Sequence, residues 1–303
     1  MSTAVLLMAY GSPRNTEEIA PYFTDIRGGR APSEQTLKTL VDRYERIGSS
    51  PLNEITQQQA ERLAQELEKR SPGAFKVFTG MKHWHPFIAD TVAKIAHEDI
   101  RHVIGLVLAP HYSAKSIGEY EKRILAARDA ASAGFKLTMV PSWYAQPAFV
   151  KLVAANLNEA LAGWDTSEGG TRVFFTAHSI PTRIVEQGDP YADQLTDSAR
   201  VFAKAAGITN FETGWQSAST TGEPWLGPDI LDRLKQFKDE GGSRAMIAPV
   251  GFVADHLEVL FDVDIECKEL AEDIGLELRR IASPNADPRF IRSLADVVIG
   301  YSG

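Results

Sequence analysis

Phe175-Thr176-Ala177-His178-Ser179-Ile180-Pro181 follows the same plan as Leu7-Met8-Ala9-Tyr10-Gly11-Ser12-Pro13 near the start of the chain. In each, an apolar run ends in alanine, then a ring, then two residues, then proline. The residues leading in show no polar alternation, as expected of a strand buried on both faces in a parallel sheet covered by helices. Runs of this kind recur at 4–9, 75–80, 103–109, 136–140, 172–177, 211–215 and 245–249. Between them lie stretches of helical character at 15–26, 33–47, 56–70, 86–98, 115–133, 147–163, 191–206, 228–240, 255–260 and 286–299.

The repetition extends beyond the first pair. Ala109-Pro110-His111-Tyr112 echoes Ala248-Pro249-Val250-Gly251, and Gly80-Met81-Lys82-His83 stands where Gly214-Trp215-Gln216-Ser217 stands later. An internal duplication follows: two α/β halves, 1–141 and 142–303, with Pro141 to Gln146 as the crossover and the last helix packing back on the first half. The strand carboxyl ends would line a cleft between them, where ligands bind in such sheets. A length of 303 residues agrees with more than one core.

Composition narrows the function. A net charge of −8 argues against nucleic acid or acidic lipid as a general partner. The single cysteine, Cys267, excludes a disulfide scaffold, a thiolate zinc site or a cysteine-ligated iron–sulfur cluster within one chain. The first ten residues lack a basic region and read as a buried strand rather than a signal peptide. No run reaches the roughly 18 apolar residues of a spanning helix, so the cytoplasm is the expected location. Dinucleotide, P-loop and serine-hydrolase fingerprints are absent.

His178 is the first candidate for chemistry. Ser179 and Pro181 stop the strand sharply and would present the ring to the cleft, and an imidazole near pKa 6.5 suits proton transfer. The bland alternative is a ring satisfied by nearby backbone. The second candidate is Asp255-His256-Leu257-Glu258 with Asp262 and Glu266 following. On an α-helix the carboxylates at 258, 262 and 266 share a face, drifting about 40° per step. Asp255 and Glu258 also spell a capping box. Capping leaves Asp262 and Glu266 unexplained, and the apolar residues around them leave little room for a solvated acidic face. A row of carboxylates there suggests a route for a cation or for protons.

Lys82-His83-Trp84-His85 has spacing that places both imidazoles on one side if the segment is extended. His97 and His102 read as exposed, while His111 and His256 stay open. Arg27, Arg30, Arg43 and Arg46 are either a solvated face or a clamp for carboxylates, and Ser50 before Pro51 could add a hydroxyl. Tyr10 is notable because it occupies the place of His178 in the other half. Tyr120 and Trp225 are the other aromatics of interest.

Taken in order, Met8-Ala9-Tyr10-Gly11-Ser12-Pro13, Arg43-Tyr44, Ser50-Pro51-Leu52, Gly80-Met81-Lys82-His83, Leu108-Ala109-Pro110-His111-Tyr112-Ser113, Ala177-His178-Ser179, Gly214-Trp215-Gln216-Ser217, Pro224-Trp225-Leu226-Gly227-Pro228 and Pro249-Val250-Gly251-Phe252 running into Asp255-His256-Leu257-Glu258 resemble the ferrochelatase family, specifically its soluble bacterial type acting on coproporphyrin III. The resemblance spans nearly the whole chain. It implies two similar Rossmann-like halves, each a parallel β-sheet flanked by helices, and Fe²⁺ insertion into a porphyrin during haem synthesis, most naturally coproporphyrin III to coproheme. It implies His178 and Glu258 as catalytic and Fe²⁺-handling residues, with Tyr10 across the macrocycle. Arg27, Arg43, Tyr44, Ser50 and Tyr120 would contact the porphyrin. Arg43, Asp262 and Glu266 would form an outer divalent-cation site, suited to Mg²⁺. No cofactor is implied as tightly bound, iron is a substrate, and a downstream coproheme decarboxylase is an implied partner. Two departures stand out. The chain lacks the cysteine set and extra apolar segment of membrane-associated members, and the loop Gly48-Ser49-Ser50-Pro51 is one residue shorter than in close relatives. A protoporphyrin IX ferrochelatase, a cobalt chelatase of corrin synthesis and a non-catalytic haem or metal carrier are the competing readings.

Overall fold

The computed structural model describes residues 2–164, 170–219 and 222–303. The eight strands are β1 (Thr3–Ala9), β2 (Phe75–Met81), β3 (His102–Val107), β4 (Lys136–Met139), β5 (Thr171–His178), β6 (Phe211–Gln216), β7 (Arg244–Ala248) and β8 (Glu277–Arg280). The α-helices are α1 (Ile19–Ile26), α2 (Glu34–Ile47), α3 (Leu52–Arg70), α4 (Ile88–Ala96), α5 (Ile117–Ala130), α6 (Pro147–Ala160), α7 (Thr182–Glu186), α8 (Tyr191–Ala206), α9 (Ile230–Asp239), α10 (Lys268–Asp273) and α11 (Pro288–Gly300). A π-helix, Glu258–Cys267, leads into α10.

The strands form two four-stranded parallel sheets of the same plan, β2-β1-β3-β4 and β6-β5-β7-β8. Tyr10 and His178 therefore leave the carboxyl ends of equivalent central strands. The period of two along β1 distributes its residues between two cores. Val5 and Leu7 face a large core that joins the sheets, with Leu63, Phe149, Phe202, Phe290 and Phe175. Ala4, Leu6 and Met8 face the outer layer of α4 and α5. The outer face of the second sheet packs Phe174 and Ile247 against α9, α10 and the π-helix. Helix α11 packs on both α3 and α6, and Arg70 of α3 pairs with Asp296 of α11 at 2.6 Å.

Two glycines make the strand ends possible. Gly11 adopts a left-handed φ of 87°, and an added Cβ there would stand 2.9 Å from Trp84. A Cβ on Gly251 would lie 2.6 Å from that of Ala177, so the loop after β7 approaches the end of β5 only because the side chain is missing.

Three expectations need correction. The segment 255–260 is not a short α-helix: residues 255 and 256 lie outside any helix, Leu257 takes helical angles, and from Glu258 the chain winds with π geometry. β8 and α7 have no counterpart in the sequence reading, because each is short and weakly patterned. His102 is not exposed: it opens β3 and its Nε2 lies 2.8 Å from the Thr138 hydroxyl.

Candidate active site

His178 is the last residue of β5, and Ser179 N–H donates to the Gln216 carbonyl at 2.8 Å, extending the ladder one step past it. Its Nδ1 lies 2.5 Å from the Ser179 carbonyl oxygen, and its Nε2 lies 3.1 Å from Glu258 Oε1. A carbonyl oxygen only accepts, so Nδ1 carries a proton and Nε2 is the nitrogen that faces the acid. The ring is not walled off: 35% of the side chain remains exposed. The Glu258 carboxylate is held on its other oxygen by His256 Nε2 at 3.2 Å, and His256 Nδ1 is fixed by the Ala254 carbonyl at 2.9 Å. Gln216 Nε2 donates to the Glu258 carbonyl at 3.2 Å, while its Oε1 accepts from Thr176 Oγ1 at 2.9 Å.

Burial acts to lower the His178 pKa, but the Glu258 charge and hydrogen bond, the Ser179 carbonyl and Asp262 together raise it to about 9. Burial acts to raise that of Glu258, and the two histidines hold it well below the usual carboxylate range. The resting pair is thus imidazolium and carboxylate. Four residues along the π-helix, burial and then the Glu258 charge lift Asp262 to about 7, against the opposing effects of Ser217 and Arg43.

Glu258, Asp262 and Glu266 do line one face. Arg43 reaches Asp262 at 3.9 Å and Glu266 at 3.6 Å, and its guanidinium lies 4.7 Å from the Phe261 ring centroid. Ser217, at a left-handed φ of 61°, donates its hydroxyl to Asp262. The capping-box reading of Asp255 is wrong. Its backbone N–H is held by Asn285 Oδ1 at 2.8 Å, and its carboxylate accepts from Ser283 at 2.7 Å and Asn285 at 2.8 Å, leaving the first helical turn uncapped by a side chain.

The first half supplies an aromatic wall. Tyr10 is 42% exposed, the highest of the large apolar side chains among the described residues. Its hydroxyl is nonetheless pushed well above the usual phenol range by burial, then by the charge of Glu258. The Glu258 charge acts in the same direction on Tyr44, after burial. The charge of Glu258 thus acts across the halves on tyrosines of the first. Lys82 Nζ stands 5.7 Å from the Tyr10 ring centroid and 5.5 Å from that of Tyr120. Burial and nearby Arg123 lower Lys82 to about 8. His83 packs on Tyr10 with centroids 4.6 Å apart and bonds Asp25 at 2.7 Å. Burial brings His83 down to about 4, so it is neutral.

Tyr44 lies 3.4 Å from the Ser12 hydroxyl. Ser50 is buried and its Oγ has no hydrogen-bond partner among the described residues. Arg27, at the end of α1, is exposed, with no ion-pair partner among the described residues. Arg46 pairs instead with Glu269. The His83/His85 pair is not assembled: the segment bends, His83 is buried and His85 is exposed. Trp225 lies beside His178, with ring centroids 6.3 Å apart. Lys82 and His256 are the residues whose part the sequence reading understated. The duplication could have signalled Lys82, because it holds the place in its half that Gln216, which bonds the Glu258 carbonyl, holds in the other. Among the described residues, no group of three or more His, Cys, Asp and Glu side chains closes into a metal cage, and no helix is long and apolar enough to cross a membrane.

The ferrochelatase family profile matches residues 2–301. The chain belongs to the ferrochelatase family. This ferrochelatase is 43% identical over 300 residues to the ferrochelatase of Herpetosiphon aurantiacus, covering 98% of each chain. It is 44% identical over 305 residues to the coproporphyrin III ferrochelatase of Bacillus subtilis, covering 99% of this chain and 97% of the relative. The coproporphyrin III ferrochelatase of Anoxybacillus flavithermus is likewise 44% identical over 302 residues. Among solved structures, SirB from Bacillus subtilis with Fe³⁺ superposes with a TM-score of 0.63 at 11% identity, covering 100% of this chain and 96% of that one. That likeness concerns the fold, two parallel α/β halves. Family membership makes the chain an enzyme of metal chelation.

Proposed function

We propose that this ferrochelatase inserts Fe²⁺ into coproporphyrin III to give coproheme in haem synthesis, with the macrocycle held between the halves 1–141 and 142–303. The single observation that carries the assignment of roles is the His178–Glu258 pair at 3.1 Å, with about a third of each side chain open to solvent. Relatives named coproporphyrin III ferrochelatases support the substrate.

Metal insertion must remove two pyrrole N–H protons and strip water from Fe²⁺. At rest the His178 imidazolium neutralises Glu258. A divalent cation arriving at that carboxylate supplies the positive charge in its place, and metal binding to such ligands releases protons. His178 Nε2 then has a free lone pair for the metal or for a pyrrole proton, while Nδ1 stays committed to the Ser179 carbonyl. Nitrogen and oxygen donors bind Fe²⁺ moderately, which suits a metal that must move on. Tyr10, Tyr44 and Tyr120 wall the apolar ring, Ser50 offers its hydroxyl, and Arg27 and Arg43 bind the carboxylate arms.

Asp262 and Glu266 suit an outer cation. Their oxygens are hard donors, the Arg43 guanidinium is their one ion-pair partner among the described residues, at 3.6–3.9 Å, and burial and then the Glu258 charge lift Asp262 to about 7. Mg²⁺ there would neutralise the row and leave Arg43 to the substrate. We place the enzyme in the cytoplasm, where the product would pass to a coproheme decarboxylase.

The test is anaerobic Fe²⁺ insertion measured side by side with coproporphyrin III and protoporphyrin IX. Repeated turnover favouring coproporphyrin is expected. Preference for protoporphyrin, or a single stoichiometric transfer, overturns the assignment.

A further inference from the structure

Two seams tie the halves, and they correspond under the internal repeat. In each half, the helix before the second strand crosses to the loop after the third strand of the other half. Helix α3 precedes β2 and reaches the loop after β7, whereas α8 precedes β6 and reaches the loop after β3.

At the first seam, Gln59 of α3 is fully buried and donates from Nε2 to the Asn285 carbonyl at 2.8 Å and the Val253 carbonyl at 3.5 Å. Two carbonyls converge there, so only the amide NH₂ can face them. Asn285 N–H donates to the same Val253 carbonyl at 2.9 Å, and the Asn285 side chain holds Asp255. The next residue, Ala254, offers the carbonyl that fixes His256 against Glu258. Gln59 Oε1 has no hydrogen-bond partner among the described residues. An amide kept buried with half its capacity unused is retained for what its NH₂ does.

At the second seam, Asp189 lies just before α8, in the second half. Its Oδ2 accepts from Ala114 N–H at 2.7 Å and Ser113 Oγ at 3.0 Å, and its Oδ1 accepts from Tyr191 N–H at 3.0 Å. Gln194 accepts from Tyr112 N–H at 2.8 Å, and Ser198 meets His111 at 2.8 Å. The clamped loop then offers the Lys115 carbonyl to Lys82 Nζ at 3.3 Å and enters α5, which carries Tyr120.

We infer that Gln59 and Asp189 are reciprocal positioning residues, each half setting the working loop of the other: Gln59 aligns the His256–Glu258 end, and Asp189 aligns the Lys82–Tyr120 wall. This rests on the reading of those two walls given above. The cleft is cross-braced at its back, so its geometry is shared property of both halves, and damage to either brace appears on the opposite wall.

The experiment compares Gln59→Leu and Asp189→Ala in the full chain, by steady-state Fe²⁺ insertion, coproporphyrin binding by fluorescence and thermal melting. Gln59→Leu should lower kcat on the order of 10-fold, as loss of supporting hydrogen bonds does at metal sites, with coproporphyrin affinity within about twofold of the parent. Asp189→Ala should weaken coproporphyrin binding on the order of 10-fold with saturating kcat within about threefold. Asp189→Asn, which keeps an acceptor oxygen, should recover part of the loss. If Gln59→Leu does not fold, Gln59→Glu must show the same kcat-side loss. Parent constants in both variants, or equal losses of kcat and affinity that track a lowered melting temperature, overturn the proposal. His178→Ala separates the layers: full turnover there removes the reading of the site itself, whereas an inactive His178→Ala beside unaffected Gln59→Leu and Asp189→Ala removes only the braces.

Discussion

β1 runs into Ala9-Tyr10 and β5 into Ala177-His178, in sheets of the same strand order. On the first wall the rings are neutral and the charge is a cation: Tyr10 and Tyr120 hold their protons, His83 is brought down to about 4 and stays neutral, and Lys82 stands against both tyrosines. The second wall is a charged machine in which His178 is raised to about 9 by Glu258 while Asp262 is lifted to about 7. Topology puts a side chain at a given place, and the neighbours brought by the loops decide what it does. A flat, apolar, acidic-armed ring calls for one surface that grips and one that exchanges charge.

Removing His178 should break this contrast most severely. His178→Ala is expected to lose iron insertion on the order of 10³-fold, with coproporphyrin binding retained because the aromatic wall is intact. Fluorescence binding beside an insertion assay checks both. Next, Glu258→Gln should cost on the order of 10²-fold in insertion and unlink the ring. Without the carboxylate, burial dominates and the His178 pKa falls from about 9 to below its ordinary 6.5, readable by NMR titration. The same variant changes stability against pH. A base whose folded pKa is raised stabilises fully below 6.5 and loses that contribution as pH rises through about 9. Urea unfolding of the parent should therefore weaken across that window, and the slope should vanish in Glu258→Gln.

A smaller effect is expected at Asp262. Its folded pKa of about 7 exceeds the ordinary 3.8, so the folded state holds the proton longer and stability falls as pH rises between those values. Asp262→Asn keeps an acceptor for Ser217 and removes that penalty, giving a gain on the order of 1 kcal/mol above pH 7 and little at pH 4. Equal effects at both pH values would mean that the ion pair with Arg43 outweighs the strain of the acidic row. The least effect belongs to the arginines. Arg27→Ala and Arg43→Ala should weaken coproporphyrin by a factor of about 2–5 and its tetramethyl ester not at all. Arg27 should show the larger difference, because Arg43 is already engaged by Asp262 and Glu266.

Much of the plan was legible because it is written in short range. Burial on both faces makes a strand apolar throughout, and the repeat at Ala9-Tyr10 and Ala177-His178 revealed the two sheets. The row Glu258, Asp262, Glu266 was legible because spacing by four survives the change from α to π geometry. Asp255 misled for the opposite reason. Its local neighbours spell a cap, but its donors are Ser283, Asn285 and Arg280, far along the chain and gathered only by β8 and the loop after it.

Residue order alone thus determined the parallel sheets, the duplicated strand ends and the identities of the rings and acids there, since these follow from hydrophobic period and local chain stops. Tertiary structure alone decided that His178 is a cation, that Asp262 resists ionisation, and that Gln59 and Asp189 each serve the opposite half. Charge and position at such a site depend on desolvation and on partners dozens to hundreds of residues away, and those distances close only when the two sheets pack on their common core.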